Sequence, residues 1–339
     1  RERRGVVPRR VGAAGDRALT ALATVEPVLV HFSPAYCDTT VAFDTTRKAA
    51  AIAASLDRQP IRHVRLVEPV PVTREQLLAV HSRAYVDAVL TGEPRALAVS
   101  NELPGWDEGL ARAVCASTGG VLGAAMHALE QRTIAGSLSS GLHHAGRAAG
   151  RGYCTVNGLV VAAKAAVAAG ARRVLVLDLD AHCGGGTADL IVDEPGIEQV
   201  DVSVDRYDYY GTHPRAQLTL TDGPGYLASV ERALEGIDDP GSIDLMLYNA
   251  GMDPHERCEG GVPGISALTL DRRERTVFTW IARHRVPTAW VLAGGYTTRM
   301  TMDELVHLHR LTIAAAARAV RTPGARGARG APTPCRWGS

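Results

Sequence analysis

The sequence lacks most features that would settle its class at a glance. Its six cysteines (Cys37, Cys115, Cys154, Cys183, Cys258 and Cys335) are scattered, with no CxxC pair. That argues against a disulfide scaffold or a zinc finger and makes a reducing cytoplasm the expected compartment. No apolar run is expected to reach the ~18 residues of a membrane span. The best attempt, 158–171, is broken by Lys164. Residues 1–17 are polar and basic and lack the apolar core of a signal peptide. Charge of one sign is missing too: the net charge is +1, so no general electrostatic grip on nucleic acid is expected. Lysine occurs only at 48 and 164, leaving arginine to carry nearly all the positive charge. There is no GxGxxG and no P-loop lysine, so nucleotide binding has no motif behind it. Neither nucleic acid nor a membrane is an expected partner.

The 339 residues, 46% hydrophobic and 22% charged, describe a globular chain able to bury a large core. Residues 1–17 read as a flexible segment and 18–320 as one domain. Residues 321–339 (RTPGARGARGAPTPCRWGS) read as a disordered Gly/Pro/Arg-rich tail. Within the domain, short apolar strands alternate with Ala-rich helices. Strands are expected at 28–32, 63–66, 174–180, 200–205, 244–249 and 288–293. Helices are expected at 74–91, 109–130, 157–170, 225–236, 270–284 and 302–320. This alternation predicts an α/β fold: a single-domain, open, mostly parallel sheet with helices on both faces.

Ligands of such sheets bind beyond the carboxyl ends of the strands. There the sequence places Asp178, Asp180 and His182, then Ser203 and Asp205, then Asp253 in NAGMD, then Gly294-Gly295-Tyr296. Asp180 and His182, two apart, point to one side. With Asp253 they make a plausible three-ligand site with open positions, as a catalytic zinc needs. Asp178, in phase with Asp180, is a candidate to orient a histidine. The adjacent His143-His144 suit acid and base work near neutral pH. Tyr296 is a phenol able to donate to a developing oxyanion. Each motif alone has a bland explanation as a cap, a loop pair or a packed tyrosine. The weight lies in their joint position.

Taken together, GLHHAGRAAGRGYCTVNG, VLVLDLDAHCGGGT, YNAGMDP and LAGGY resemble the zinc-dependent histone deacetylase family, of arginase/deacetylase fold, in order and spacing. LLAVHSRAYVDAVL resembles that family's early helix, and details resemble its class IV branch and bacterial relatives. The resemblance spans about 28–320. It implies zinc ligands at Asp180, His182 and Asp253, with Fe2+ as the alternative metal. It implies His143 and His144 holding the attacking water, with Asp178 behind His143, and Tyr296 polarising the carbonyl. Ser203 falls at the family's monovalent-cation (K+) position, Tyr153 and Gly295 at the acyl tunnel, and Arg47 at an arginine behind the acyl pocket. The implied activity is hydrolysis of an N-acyl amide on acyl-lysine, an acetylpolyamine or an N-acetylated small metabolite, with a longer fatty acyl group also allowed.

The chain departs from the family pattern DxDxHHG(D/N)G. Cys183 replaces a histidine that is not a ligand, and Gly185 replaces the Asp or Asn that supports the second histidine. His144 is therefore expected to lack a side-chain partner. That favours a catalytically weakened, metal-binding pseudo-deacetylase as the alternative. A ureohydrolase of the same fold is the less favoured one, because its two-metal site needs more carboxylates. Asn101, Glu102 and Asp107 lie in a loop that could meet a cationic substrate.

Overall fold

Five successive buried residues, VLVLD, need apolar cover on both sides of the strand they form. The computed structural model describes residues 26–41 and 43–320, apart from the side chain of Thr45. The end segments 1–17 and 321–339 lie outside the described residues. The strands are β1 (Val28–His31), β2 (Val64–Val67), β3 (Ile134–Ser137), β4 (Val174–Asp178), β5 (Ile197–Ser203), β6 (Ala216–Leu220), β7 (Leu245–Asn249) and β8 (Thr288–Val291). They form one sheet in the order β2-β1-β3-β8-β7-β4-β5-β6. Every neighbouring pair is parallel.

The helices are α1 (Asp44–Arg58), α2 (Arg74–Leu78), α3 (Arg83–Thr91), α4 (Arg95–Ala98), α5 (Glu108–Gln131), α6 (Gly158–Ala168), α7 (Gly185–Ile191), α8 (Tyr226–Glu235), α9 (Ala267–His284) and α10 (Met302–Ala319). Alternate strand residues feed two cores. Leu175, Leu177, Met246, Tyr248 and Trp290 pack with α1, α8, α9 and α10 on one face. Val174, Val176, Leu245, Leu247 and Val291 pack with α3, α5 and α6 on the other. Helix α5 is long and apolar enough for a membrane span, yet most of it is buried in this second core.

The stretch 74–91 is two helices rather than one. His81 turns inward, and Ser82 caps α3 by accepting from the Tyr85 amide. Strand β3 escapes a pattern search because it is only IAGS. Its Gly136 lies under Trp290, where a Cβ would come within 2.1 Å of the indole. Helix α7 opens in the GGG run, which reads as a turn.

Between β4 and β7 the strand order reverses: β5 and β6 lie on one side, β7, β8 and β3 on the other. The crevice beyond the carboxyl ends at such a switch is where open α/β sheets take ligands. Strands β3, β8, β7 and β4 are neighbours there, and each leads into one of the chemically capable segments.

Candidate active site

Asp180 and His182 follow β4, and Asp253 follows β7. His182 Nδ1 lies 3.1 Å from Asp180 Oδ1 and 3.1 Å from Asp253 Oδ2. One potential ligand atom from each of the three lies within 4.8 Å of the others. The outer carboxylate atoms are held by backbone: Gly294 N donates to Asp180 Oδ2 (2.7 Å) and Ala181 N to Asp253 Oδ1 (3.0 Å). Asp253 Oδ2 is buried and receives no hydrogen bond. A buried carboxylate oxygen without a donor is costly unless a cation faces it. Two carboxylates and an imidazole around one point therefore fit a divalent ion of the zinc type.

The charges agree. Burial and the Asp180 charge push Asp253 up to about 6. Burial opposes a charge on His182, but Asp180 and Asp253 outweigh it and raise its pKa to about 11. The two acids need positive charge between them, which a divalent ion held by these three residues would supply. The backbone is cut to fit: a Cβ on Gly294 would stand 2.0 Å from Asp253 Oδ2 and 2.6 Å from Asp180 Oδ2.

The loop after β3 carries the histidine pair, with ring centroids 4.0 Å apart. His143 Nδ1 sits 2.7 Å from Asp178 Oδ2, and its Nε2 3.5 Å from Asp180 Oδ1. Asn249 Nδ2 holds the other Asp178 oxygen at 2.9 Å. Burial opposes a charge on His143, but Asp178 and Asp180 hold its pKa at about 10. His144 does have a carboxylate partner: its Nδ1 lies 3.0 Å from Asp208 Oδ2. Burial and the neighbouring His143 charge lower His144 to about 4.

Two buried residues hold this loop from below. Asn157 Nδ2 donates to the carbonyls of His143 (3.3 Å) and Ala145 (3.4 Å). His81 Nε2 accepts from Asn157 N, and its Nδ1 meets Gly146 O at 2.8 Å.

Tyr296 follows β8, with its ring 6.5 Å from His182. Burial, with the charges of Asp253 and Asp180, raises its pKa well above the usual phenol value, so it keeps its proton. A cavity of about 20 Å³ is lined by His143, His144, Cys154, Asp180, Gly294 and Tyr296 among others. That is room for about one water. A second cavity of about 40 Å³ shares Ser140 and Leu142 and reaches Tyr36, Leu103 and Tyr153. Tyr153 stacks on Phe43 at 4.0 Å at the mouth. Leu142, Tyr153, Asp208, Glu102 and Ala293 all have positive φ, a cluster of backbone strain around one site. A larger cavity, about 500 Å³, lies at the opposite edge of the sheet, by Arg65, Arg132 and Arg285.

A profile of the histone deacetylase domain matches residues 42–230. The chain belongs to the histone deacetylase family. It is 30% identical over 257 residues to the uncharacterized protein SYNPCC7002_A1628 of Picosynechococcus sp., covering 74% of this chain and 84% of that one. It is 28% identical over 172 residues to acetylpolyamine amidohydrolase 1 of Pseudomonas aeruginosa, covering 45% of this chain and 48% of that one. The crystal structure of the HDA15 HD domain superposes with a TM-score of 0.70 at 20% identity, over 88% of this chain and 92% of that one. The sheet is thus that of the histone deacetylase fold, and the chain is an amide hydrolase.

Three of the expected positions, Arg47, Asn101 and Asp107, fall elsewhere in the structure. Arg47 is not behind the acyl pocket: its side chain is 56% exposed and pairs with Asp44. Its neighbour Lys48 is the buried cation, bonded to the Ala293 carbonyl. Register on α1 decides this, because adjacent helix residues face about 100° apart. Asn101 is buried on Thr155, and Asp107 caps α5, so of that loop only Glu102 reaches the mouth, against Tyr207 and the Gly152 amide. Gly295 lies against His309, where a Cβ would meet Nε2 at 2.7 Å. Ser203 Oγ lies 2.5 Å from Asp201 Oδ1 and 3.2 Å from the His182 carbonyl. Cys183 is fully buried.

Sequence reading passed over Asp208, Asp201, Asn157, His81 and Arg273. An acid inside the strand VDVSVD was the available signal for Asp201, whose pKa burial and Asp178 raise to about 8. Arg273 Nη1 donates to the carbonyls of Leu179 (3.1 Å) and Gly251 (2.7 Å), tying the two ligand loops together.

Proposed function

We propose that this protein is a zinc-dependent hydrolase that removes an acyl group from an amine. The observation that carries the reading is the imidazole pair standing directly against the three-ligand cluster, His143 Nε2 being 3.5 Å from Asp180 Oδ1. Asp180, His182 and Asp253 would hold the ion. A bound Zn2+, or Fe2+ in its place, polarises an acyl carbonyl and acidifies water.

The protein's own groups divide the rest of the work. His143, pinned between Asp178 and Asp180, keeps its proton and orients the attacking water. His144, the neutral member, accepts the water proton at Nε2 and returns it to the leaving amine. Tyr296, a phenol that stays protonated, donates to the oxyanion. The Phe43–Tyr153 stack and Leu142 form an apolar neck that admits an alkyl chain and excludes water. Ser203 and the buried acid Asp201 suit a monovalent cation, K+, under the loop.

The substrate class in this reading is acyl-lysine, an acetylpolyamine or an N-acetylated small metabolite. The relative named acetylpolyamine amidohydrolase and the carboxylate of Glu102 at the mouth support a cationic amine carrier. Two observations weigh against the alternatives. Asp208 supplies the partner whose absence favoured a weakened pseudo-deacetylase. Among the described residues one three-ligand cluster is present, where a ureohydrolase of this fold needs two metals.

The test is an acyl-length series, acetyl to octanoyl, on an acyl-lysine peptide and on acetylputrescine, with zinc-loaded protein. Hydrolysis of at least one member, abolished by Asp180→Ala, supports the reading. No turnover of any member refutes it.

A further inference from the structure

We propose that Asp208 is the positioning residue for His144, occupying the space and the role that Gly185 leaves open. The proposal rests on the hydrolase reading above and adds to it the source of the second histidine's carboxylate. Asp208 lies on the loop after β5, so the group arrives from a different strand than a residue at 185 would.

Three observations carry it. First, Asp208 is built in: its side chain is 4% exposed. Its Oδ2 faces His144 Nδ1 at 3.0 Å and accepts from Gly186 N at 3.0 Å, and its Oδ1 accepts from Arg151 Nη1. Second, the glycine and the aspartate form one arrangement. A Cβ at 185 would stand 2.3 Å from the Asp208 carbonyl oxygen and 2.7 Å from its Cγ. No side chain at 185 can coexist with Asp208 where it is. Third, Asp208 adopts φ 56, the left-handed region, which costs free energy for a non-glycine residue and persists where surrounding contacts fix it. Tyr207, next in the chain, closes on the His144 ring edge-on at 4.9 Å and 81°, so consecutive residues fix the imidazole from two sides.

The chemical consequence is a defined tautomer. A carboxylate at Nδ1 keeps the proton there and leaves the Nε2 lone pair facing the cavity, which is what a base needs. Arg151, bonded to the other oxygen, holds Asp208 ionised and in place.

The test combines kinetics with NMR on zinc-loaded protein. Asp208→Ala is expected to lower kcat about 10- to 100-fold with KM little changed. Asp208→Asn, which keeps an oxygen acceptor, is expected to recover most of that loss. Long-range 1H–15N spectra of histidine-labelled wild type, assigned with His144→Gln, are expected to show His144 protonated at Nδ1 and bare at Nε2. An unchanged kcat in Asp208→Ala, or a wild-type His144 protonated at Nε2, overturns the proposal. The wild-type spectrum decides even where the alanine variant fails to fold. Absence of wild-type turnover would instead refute the hydrolase reading, leaving the spectrum to judge Asp208.

Discussion

His143 Nδ1 sits 2.7 Å from Asp178 Oδ2, although one residue follows β3 and the other ends β4, with β8 and β7 between those strands. The crevice at the switch point folds four loops onto one another, and the chemistry follows from that convergence.

Tyr296 is expected to act on the transition state and hardly on substrate binding. Tyr296→Phe removes a single donor and little volume. It should lower kcat by roughly 10²–10³ with KM changed little, the usual cost of losing one oxyanion donor. A variant that raises KM and spares kcat would place the phenol in binding.

The backbone at Gly294 is expected to control metal affinity. In Gly294→Ala the new methyl would sit within 2.0 Å of Asp253 Oδ2, so the carboxylate must swing away. Zinc titration with a chromophoric competitor should show at least a tenfold loss of affinity. The far-ultraviolet circular dichroism of the variant should stay that of the wild type.

The Arg273–Glu274 pair is fully buried, with Arg273 Nη2 2.6 Å from Glu274 Oε1, and Tyr248 donates to the same oxygen. Removing one partner strands the other charge. Arg273→Leu should destabilise by ~3–5 kcal/mol in urea denaturation, and adding Glu274→Leu should recover part of that loss. Equal stability of the single and double variants would contradict the account of these ligand-loop ties.

His81 ties stability to pH. Burial lowers its pKa from 6.5 to about 4, and its two nitrogens serve Gly146 and Asn157 in the neutral form. The unfolded chain therefore binds the proton more readily. The contribution is complete above pH 6.5 and falls away as pH drops toward 4, by up to ~3 kcal/mol from this residue. The melting temperature should fall across that window, and His81→Asn should flatten the fall. An unaltered slope in the variant would assign the acid sensitivity elsewhere.

Acyl preference follows from space. The cavity beside Asp180 holds about 20 Å³, and the one beyond Ser140 and Leu142 about 40 Å³. An acetyl group should be removed faster than an octanoyl group in competition. Faster octanoyl removal would mean that the Leu142–Tyr153 wall opens.

The parallel sheet was legible because VLVL and LMLY are continuous apolar runs, as strands buried on both faces are. Asp180, His182 and Asp253 were legible because they follow apolar strands, and the histidine pair because two adjacent histidines stand beside a Gly-rich turn. Asp208 was not, because it lies in a loop without periodicity and its role depends on space freed at Gly185, a relation between two loops that no local pattern records. Lys48 was passed over for Arg47 because one helix step decides which cation is buried. Arg273 reads as one more charge on an amphipathic helix until the carbonyls of Leu179 and Gly251 are seen at its tip.

The most direct test is metal stoichiometry by inductively coupled plasma mass spectrometry after dialysis, on wild type and on Asp253→Ala. One zinc or iron per wild-type chain, and close to none in the variant, is the predicted result. Two ions per wild-type chain, or a full complement retained without Asp253, would contradict it.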